Sequence, residues 1–314
     1  MSVDPRDPMF HNEDKARAYF EAQRWPDGPE CPHCNSKHVH RLDGEAHRKG
    51  LLQCNDCLGQ FSVTLNSVME SSHIPLTKWV LGFHKMAASK KGISAKQLQR
   101  ELALGSYRTA WFMAMRIREA MGLDPKSSPI GGSGKTVESD ETFVGGKKKN
   151  VHRGKPEPKK HAVHALVERG GKVRASHVPD VSAKTLRAAI AKHVHPKSTM
   201  NTDDALAYYW MSKEFAKHGV VNHSRDEYVS KDGKTHIQSA EAFFAILKRG
   251  VMGSFHSVSE QHLQRYVDEF AFRWNARSAL GIEDAERAAL MVKGAAGKRL
   301  TYRQVDEKKE AQAR

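Results

Sequence analysis

No stretch of the 314-residue sequence stays apolar for the roughly 18 residues that a membrane-crossing helix needs. The N-terminus, MSVDPRDPMFHNEDKARAYF, also lacks the charged-then-apolar layout of a secretory signal, so a soluble intracellular protein with no membrane partner is expected. Cysteine is scarce, with 4 residues; all fall in one short stretch, and none is left for redox work or nucleophilic catalysis elsewhere. Acid is in deficit, because 36 Asp and Glu face 51 Lys and Arg, a formal charge of +15. A charge of that size predicts association with nucleic acid or another acidic surface and says nothing about fold. What the chain does have is length enough to bury about three quarters of its unfolded surface in a real core.

The four cysteines read Cys31-Pro-His-Cys34 and Cys54-Asn-Asp-Cys57, two C-x2-C pairs with 19 residues between them. Each pair makes a tight turn that brings two thiolates to one ion, and two such turns complete the closed tetrahedral shell of a structural zinc. One Zn2+ held by Cys31, Cys34, Cys54 and Cys57 is expected, in preference to two disulfides. Downstream, Phe61-Ser-Val continues a short strand, and residues 75–86 carry apolar side chains at helical spacing. Ser94 can cap a helix through Leu102, Leu104-Gly105 makes a turn, and Ser106 can cap the helix YRTAWFMAMRIREAM. Two short helices about a glycine turn make a helix-turn-helix, with Tyr107, Arg108 and Arg116 toward DNA while Trp111, Met115 and Ile117 help fill the core. An ordinary helical hairpin fits the same pattern; the adjoining zinc module and the charge favour DNA binding.

Residues 124–135, DPKSSPIGGSGK, have the composition of a flexible connection. The expected organisation is an N-terminal segment and zinc ribbon over 1–66, a helical helix-turn-helix region over 67–123, a linker over 124–135 and a second domain over 136–314. In that domain residues 137–144, 162–168 and 173–178 read as strands, 182–193 as a helix, 199–202 and 220–223 as short strands, and 237–249 and 259–277 as helices. This alternation predicts an α/β fold, a mixed sheet with flanking helices. Between the first two strands, KKKNVHRGKPEPKK (147–160) is either a solvated loop or a basic flap for a nucleic-acid backbone, with Lys147, Lys148, Lys149 and Arg153 as its candidate DNA contacts.

Three acids stand where chemistry can use them: Asp140 in the first of these strands, Asp203 at the end of the fourth, and Glu241 in the amphipathic helix. Hard divalent cations take oxygen ligands, and carboxylates from separate elements can hold two Mg2+ about 4 Å apart. Taken one at a time, each reads as an ordinary surface carboxylate. The surrounding strings change that. RWPDGPECPHC, FSVTLNSVMESSHIPLTKW, GISAKQLQRELALGSYRTAWFMAMRIR, VESDETFVGGK, NTDDALAYY and AEAFFAILKRGVMGSFHSVSEQHLQRYVDEFAFRWNAR follow one another in the order and spacing of one family. From about Arg24 to Arg303 the chain resembles the zinc-ribbon DDE transposases of bacterial insertion sequences.

The resemblance implies an RNase H-like catalytic domain whose acidic triad holds two Mg2+, with Mn2+ as a substitute. It implies Asp140 as the first carboxylate, Asp203 (beside Asp204) as the second and Glu241 as the third. Lys248, seven residues on and on roughly the same helix face, is then a contact to substrate phosphate, with Arg249 beside it as a further DNA contact. Gln238 stands where relatives usually carry Asn, and some relatives are described by that position, so the third catalytic residue is Glu241 or Gln238. Leu65-Asn66-Ser67 stands where the family often has Gly-Thr, and Asn tolerates a left-handed turn. His236 is either a residue that orients water or phosphate or a loop histidine facing solvent. The implied activity is Mg2+-dependent cleavage of element ends followed by transfer of the exposed 3′-hydroxyl to target DNA. DNA is the implied partner, both as terminal inverted repeats and as target; joining two ends implies a homo-oligomer, and the implied location is the bacterial cytoplasm at the nucleoid. Two rivals stay open, a non-catalytic zinc-ribbon and helix-turn-helix regulator and an RNase H-like nuclease without strand transfer.

Overall fold

The computed structural model describes residues 4–146, 159–222, 227–231 and 233–301. These divide into two compact units, one of residues 4–88, 94–121 and 283–301, the other of residues 89–93 and 122–282. Among the described residues no helix is long and apolar enough to cross a membrane.

The first unit opens on α1 (Glu13–Arg24), capped by Asn12, whose side-chain oxygen accepts from the N–H groups of Asp14 and Lys15. A three-stranded antiparallel sheet follows, β1 (Val39–Arg41), β2 (Leu52–Cys54) and β3 (Gln60–Phe61), in that spatial order. So small a sheet is not stable alone. Its Cys31, Leu52, Cys54 and Phe61 form a buried cluster closed by Trp25, Val39 and Leu65. Asn66 takes φ +53°, the left-handed turn its sequence context suggests. Helices α2 (Leu76–Ala88), α3 (Ala95–Glu101) and α4 (Tyr107–Met121) complete this stretch. Ser94 caps α3 by accepting from the Gln97 N–H at 3.1 Å, and Ser106 caps α4 through the Thr109 N–H at 3.0 Å. The left-handed residue between these two helices is Ala103, φ +47°, not Gly105.

The second unit contains β4 (Ile130–Gly131), β5 (Thr136–Gly145), β6 (Lys160–Glu168), β7 (Val173–Val178), α5 (Ala183–His193), β8 (Val194–His195) and β9 (Thr199–Asp203). It continues through α6 (Met211–Glu214), β10 (Lys217–Val221), α7 (Gln238–Gly250) and α8 (Glu260–Asn275). Its main sheet has the order β10-β9-β5-β6-β7. The β5, β6 and β7 strands are antiparallel neighbours, whereas β9 runs parallel to β5 and β10 parallel to β9. This is the mixed RNase H-like sheet. One face packs Val137, Leu166 and Met200 against Leu186 and Ile190 of α5. The other packs Val163, Ala165 and Val167 against Phe243 and Leu247 of α7 and Val267 and Phe270 of α8. Covered on both faces, β6 reads as a nearly unbroken apolar run, HAVHALV. Helix α7 runs on into a π-helical turn, Val251–Phe255, which ends at His256 with φ +62°.

Three features differ from the sequence-based expectation. The stretch 124–135 is not simply a connection, because its Ile130–Gly131 pairs in parallel with Val194–His195. Gly131 serves close packing, sitting at φ +85° against the Ser198 hydroxyl, and the N–H groups of Gly131 and Gly132 donate to Glu168 at 3.0 Å and Ser198 Oγ at 2.8 Å. Strand β10 lies earlier than residues 220–223. Finally, α9 (Asp284–Lys293) belongs to the first unit and not to the sheet domain, because its apolar side, Ala288, Met291 and Val292, is buried there. Its Arg287 donates to the Ala87 carbonyl in the last turn of α2 at 3.1 Å.

Candidate functional site

The two cysteine turns are built alike. Each has a left-handed residue directly after its second cysteine, Asn35 at φ +61° and Leu58 at φ +58°. The turns close through the Asn35 N–H to the Cys31 carbonyl at 2.8 Å and the Cys54 N–H to the Gly59 carbonyl at 3.0 Å. All four sulfurs lie within 4.8 Å of one another, with Cys31–Cys57 and Cys34–Cys54 at 3.6 Å. A disulfide needs about 2.05 Å, whereas sulfurs sharing a tetrahedral zinc at 2.3 Å sit about 3.8 Å apart. The Cys57 N–H, opposed by burial and helped by the Asp56 N–H, holds the Cys54 thiol down at about 6. The Ser36 N–H draws Cys34 the same way, yet the Cys57 thiol and burial push it up to about 12. Four thiolates in this space need a cation between them, and the donor set fits a closed zinc shell.

Strand register brings two of the three candidate carboxylates into correspondence. In the parallel pair β5 and β9 the last partners are Glu138 and Asn201. Two residues farther on each strand come Asp140 and Asp203, at matching places on one face. That face carries α7, whose start has no side-chain cap of its own. The fully buried Glu138 supplies one from β5: its carboxylate accepts from the Ser239 N–H at 2.6 Å, the Ala240 N–H at 3.1 Å and the Ser239 hydroxyl at 3.1 Å. Such a carboxylate satisfies orphan N–H groups and meets the positive end of the helix. Arg169 donates to Glu138 at 3.0 Å and to the carbonyls of Lys234 at 2.9 Å and His236 at 3.3 Å, fixing the loop before the helix. His236 therefore does not face solvent. Its ring is half-buried with Nδ1 3.3 Å from Glu138.

Asp140 accepts from the Glu141 N–H at 2.8 Å, and Asp203 from the Ala205 N–H at 3.2 Å. Glu241 and Gln238, three residues apart and both exposed, share one side of the first turn of α7; Lys248, also exposed, lies on that side seven residues after Glu241. The oxygens of Asp140, Asp203 and Glu241 are not gathered within 4.8 Å of one another as the four thiols are.

Glu141 points through the opposite face of the sheet, where it accepts a hydrogen bond from the Tyr208 hydroxyl. Burial raises its carboxyl to about 7, with the charges of Asp140 and Asp203 adding and Tyr208 opposing. Both aspartates thus bear electrostatically on one group, as their register requires. Tyr208 also accepts from the Ser139 hydroxyl at 3.2 Å, and His164 Nε2 lies 2.9 Å from Ser139 Oγ. Burial holds His164 down at about 3, hence neutral. Sequence reasoning missed Glu138 and Glu141. The available signal was the period-2 alternation of VESDETFV, which pairs position 138 with 140 and position 139 with 141.

Among the candidate DNA contacts, Tyr107 and Arg108 are exposed at the start of α4. Arg116 is not: it is buried, stacks over Phe112 at 4.6 Å and donates to the Glu70 carbonyl at 3.0 Å. Its helix position faces inward with Met113 and Ile117, so its charge is satisfied inside the unit. Lys248 and Arg249 are exposed near the end of α7, with Arg249 Nε donating to the Ala245 carbonyl at 3.1 Å. Lys147, Lys148, Lys149 and Arg153 lie outside the described residues.

Residues 11–60 match the family model of the transposase zinc-ribbon domain, and residues 131–275 that of the ISXO2-like transposase domain. The chain is 27% identical over 283 residues to the "Uncharacterized protein in transposable element ISH50" of Halobacterium salinarum, covering 84% of this chain and 91% of that relative. A solved structure, the Mos1 transposase paired-end complex with left transposon end, aligns at 14% identity over 70% of this chain and 80% of that one with a TM-score of 0.20. The RNase H-like fold therefore rests on the observed strand order. With both domains matched in the same order along the chain, this protein takes its place among the zinc-ribbon DDE transposases of insertion sequences.

Proposed function

We propose that the protein cleaves the ends of its element in a Mg2+-dependent reaction and transfers them to target DNA, with Asp140, Asp203 and Glu241 as the catalytic carboxylates. The observation that carries this reading is the β5–β9 register, whose last partners, Glu138 and Asn201, stand two residues before Asp140 and Asp203 on the face bearing α7. Their donor atoms are hard carboxylate oxygens, which suit Mg2+ or Mn2+. Two such ions, when bound, polarise the phosphodiester and lower the pKa of the attacking hydroxyl.

The chain's own residues set up the rest. Asp140 and Asp203 are fixed by backbone hydrogen bonding on adjacent strands, so their spacing costs little ordering when DNA arrives. Glu138 is a positioning residue, holding the first turn of α7 and with it Glu241, or Gln238 as the alternative third ligand, beside β5. Lys248 offers its ammonium to a substrate phosphate on the same side of α7, and Arg249 extends that contact. Water attacks first and frees a 3′-hydroxyl; that hydroxyl then attacks the target, both as in-line displacements with no covalent bond to the protein.

The zinc ribbon, with one Zn2+ on Cys31, Cys34, Cys54 and Cys57, and the α3–α4 pair are proposed to grip the terminal inverted repeats through Tyr107 and Arg108. Lys147, Lys148, Lys149 and Arg153 are proposed backbone contacts. Because two ends must be joined, at least two copies are expected on DNA. The test is incubation of the purified protein with Mg2+, labelled element-end DNA and a target plasmid. Joined products are expected; cleavage without joining would leave a nuclease, and retention of DNA without cleavage a regulator.

A further inference from the structure

Away from the cysteines and the three carboxylates, a second set of metal-ligand side chains comes together in the sheet unit. His161 lies near the start of β6, His177 near the end of β7, and Glu260 is the first residue of α8. His177 is opposite Val163, so it is diagonal to His161 on one face of the antiparallel pair. One ligand atom from each of the three side chains falls within 4.8 Å of the others. His161 Nδ1 is 3.5 Å from Glu260 Oε1, and the two imidazoles meet edge to face with centroids 5.8 Å apart.

The surroundings hold this arrangement. Gln264, one turn along α8, accepts from the His177 N–H at 2.7 Å and donates to the Ala175 carbonyl at 3.4 Å and to Asp268 at 2.8 Å. The start of α8 is thereby tied to the backbone of β7. His161 is mostly buried, with 12% of its side chain exposed, whereas Glu260 is 48% exposed and leaves the cluster open on its side. A cation already sits there: Lys159 Nζ is 3.1 Å from the other Glu260 oxygen, Oε2.

We propose that His161, His177 and Glu260 form a second transition-metal site, selective for Zn2+ and similar ions. Two imidazoles and one carboxylate are the donors such borderline ions prefer, whereas Mg2+ and Ca2+ take oxygen alone. Three protein ligands leave a fourth position for water. The ion joins β6, β7 and α8 at a point where the Lys159 ammonium now pairs with Glu260, so Lys159 competes with it. The site makes no use of the catalytic reading, and it stands or falls separately.

The test is equilibrium dialysis of the full-length protein, cysteine site filled, against micromolar free Zn2+, followed by metal analysis. The wild type should hold one zinc beyond that of the cysteines, as should Asp140→Asn. The His161→Ala/His177→Ala double variant should lose the extra ion, and Glu260→Gln, a change at an exposed side chain that leaves packing intact, should weaken it at least tenfold. Lys159→Ala should bind it more tightly. A wild type that holds only the cysteine zinc overturns the proposal, and so does an extra zinc that survives unchanged in both the double variant and Glu260→Gln.

Discussion

Replacing Glu141 with Gln probes how closely the two aspartates bear on each other's surroundings. The fold holds the Glu141 carboxyl at about 7 instead of its usual 4.5, mainly through burial, with Asp140 and Asp203 adding and the Tyr208 hydrogen bond opposing. A displacement of that size corresponds to roughly 3 kcal/mol. Because the folded value is the higher one, the folded state binds the proton more tightly. Below pH 4.5 both states are protonated and no penalty exists; it grows through the interval and is complete above about pH 7. Gln keeps an acceptor for the Tyr208 hydroxyl and carries no charge at any pH. Glu141→Gln should therefore stabilise the sheet unit by about 3 kcal/mol at pH 8 and by close to nothing at pH 4.5, in buffer free of divalent ions. Hydrogen exchange of β5 and β9 amides reads this locally, and comparing variant with wild type at each pH cancels the intrinsic rate. Mg2+ should shrink the gain at pH 8 by neutralising the neighbouring carboxylates. A difference of the same size at both pH values would refute the reasoning.

Removing the clasp on α7 should be costly: Glu138→Ala leaves Arg169 without its buried partner and the helix start uncapped, and the unit should lose about 3–5 kcal/mol in chemical denaturation. Two arginines of α4 should behave oppositely. Arg108→Ala should weaken DNA binding and lower the salt slope by about 1 with little change in melting temperature, whereas Arg116→Ala should lower the melting temperature and leave the slope alone. Cys54→Ser should reduce the zinc at the cysteine site from one per chain to near none and expose the amides of β1–β3 to exchange, while those of β5–β7 stay protected.

Much of the second unit was legible because its signals are local. The strand 173–178 and the capped helix after Ser182 fall where periodicity and capping put them, since apolar alternation and a serine oxygen act over a few residues. The cysteine spacing likewise specified its cluster, four sulfurs needing only two turns. What stayed hidden depended on partners far along the chain. Glu138 reads as one more acid in VESDETFV until the first turn of α7, 101 residues later, is seen to start on it. Arg116 looks like a DNA contact until the Glu70 carbonyl, 46 residues away, claims it. The stretch 124–135 has a linker's composition, yet Gly131 there answers the close approach of Ser198. Residues 284–293 fall inside the expected 136–314 domain, yet the helix they form buries its apolar side in the first unit.

The central claim is that Asp140 and Asp203 act together in phosphodiester chemistry. Its most direct test is cleavage of labelled element-end DNA in Mg2+ by Asp140→Asn and Asp203→Asn, each measured beside its affinity for the same DNA and its hydrogen-exchange protection. Cleavage and joining should be abolished in both, with affinity and protection kept. Cleavage at the wild-type rate by either variant would contradict the account.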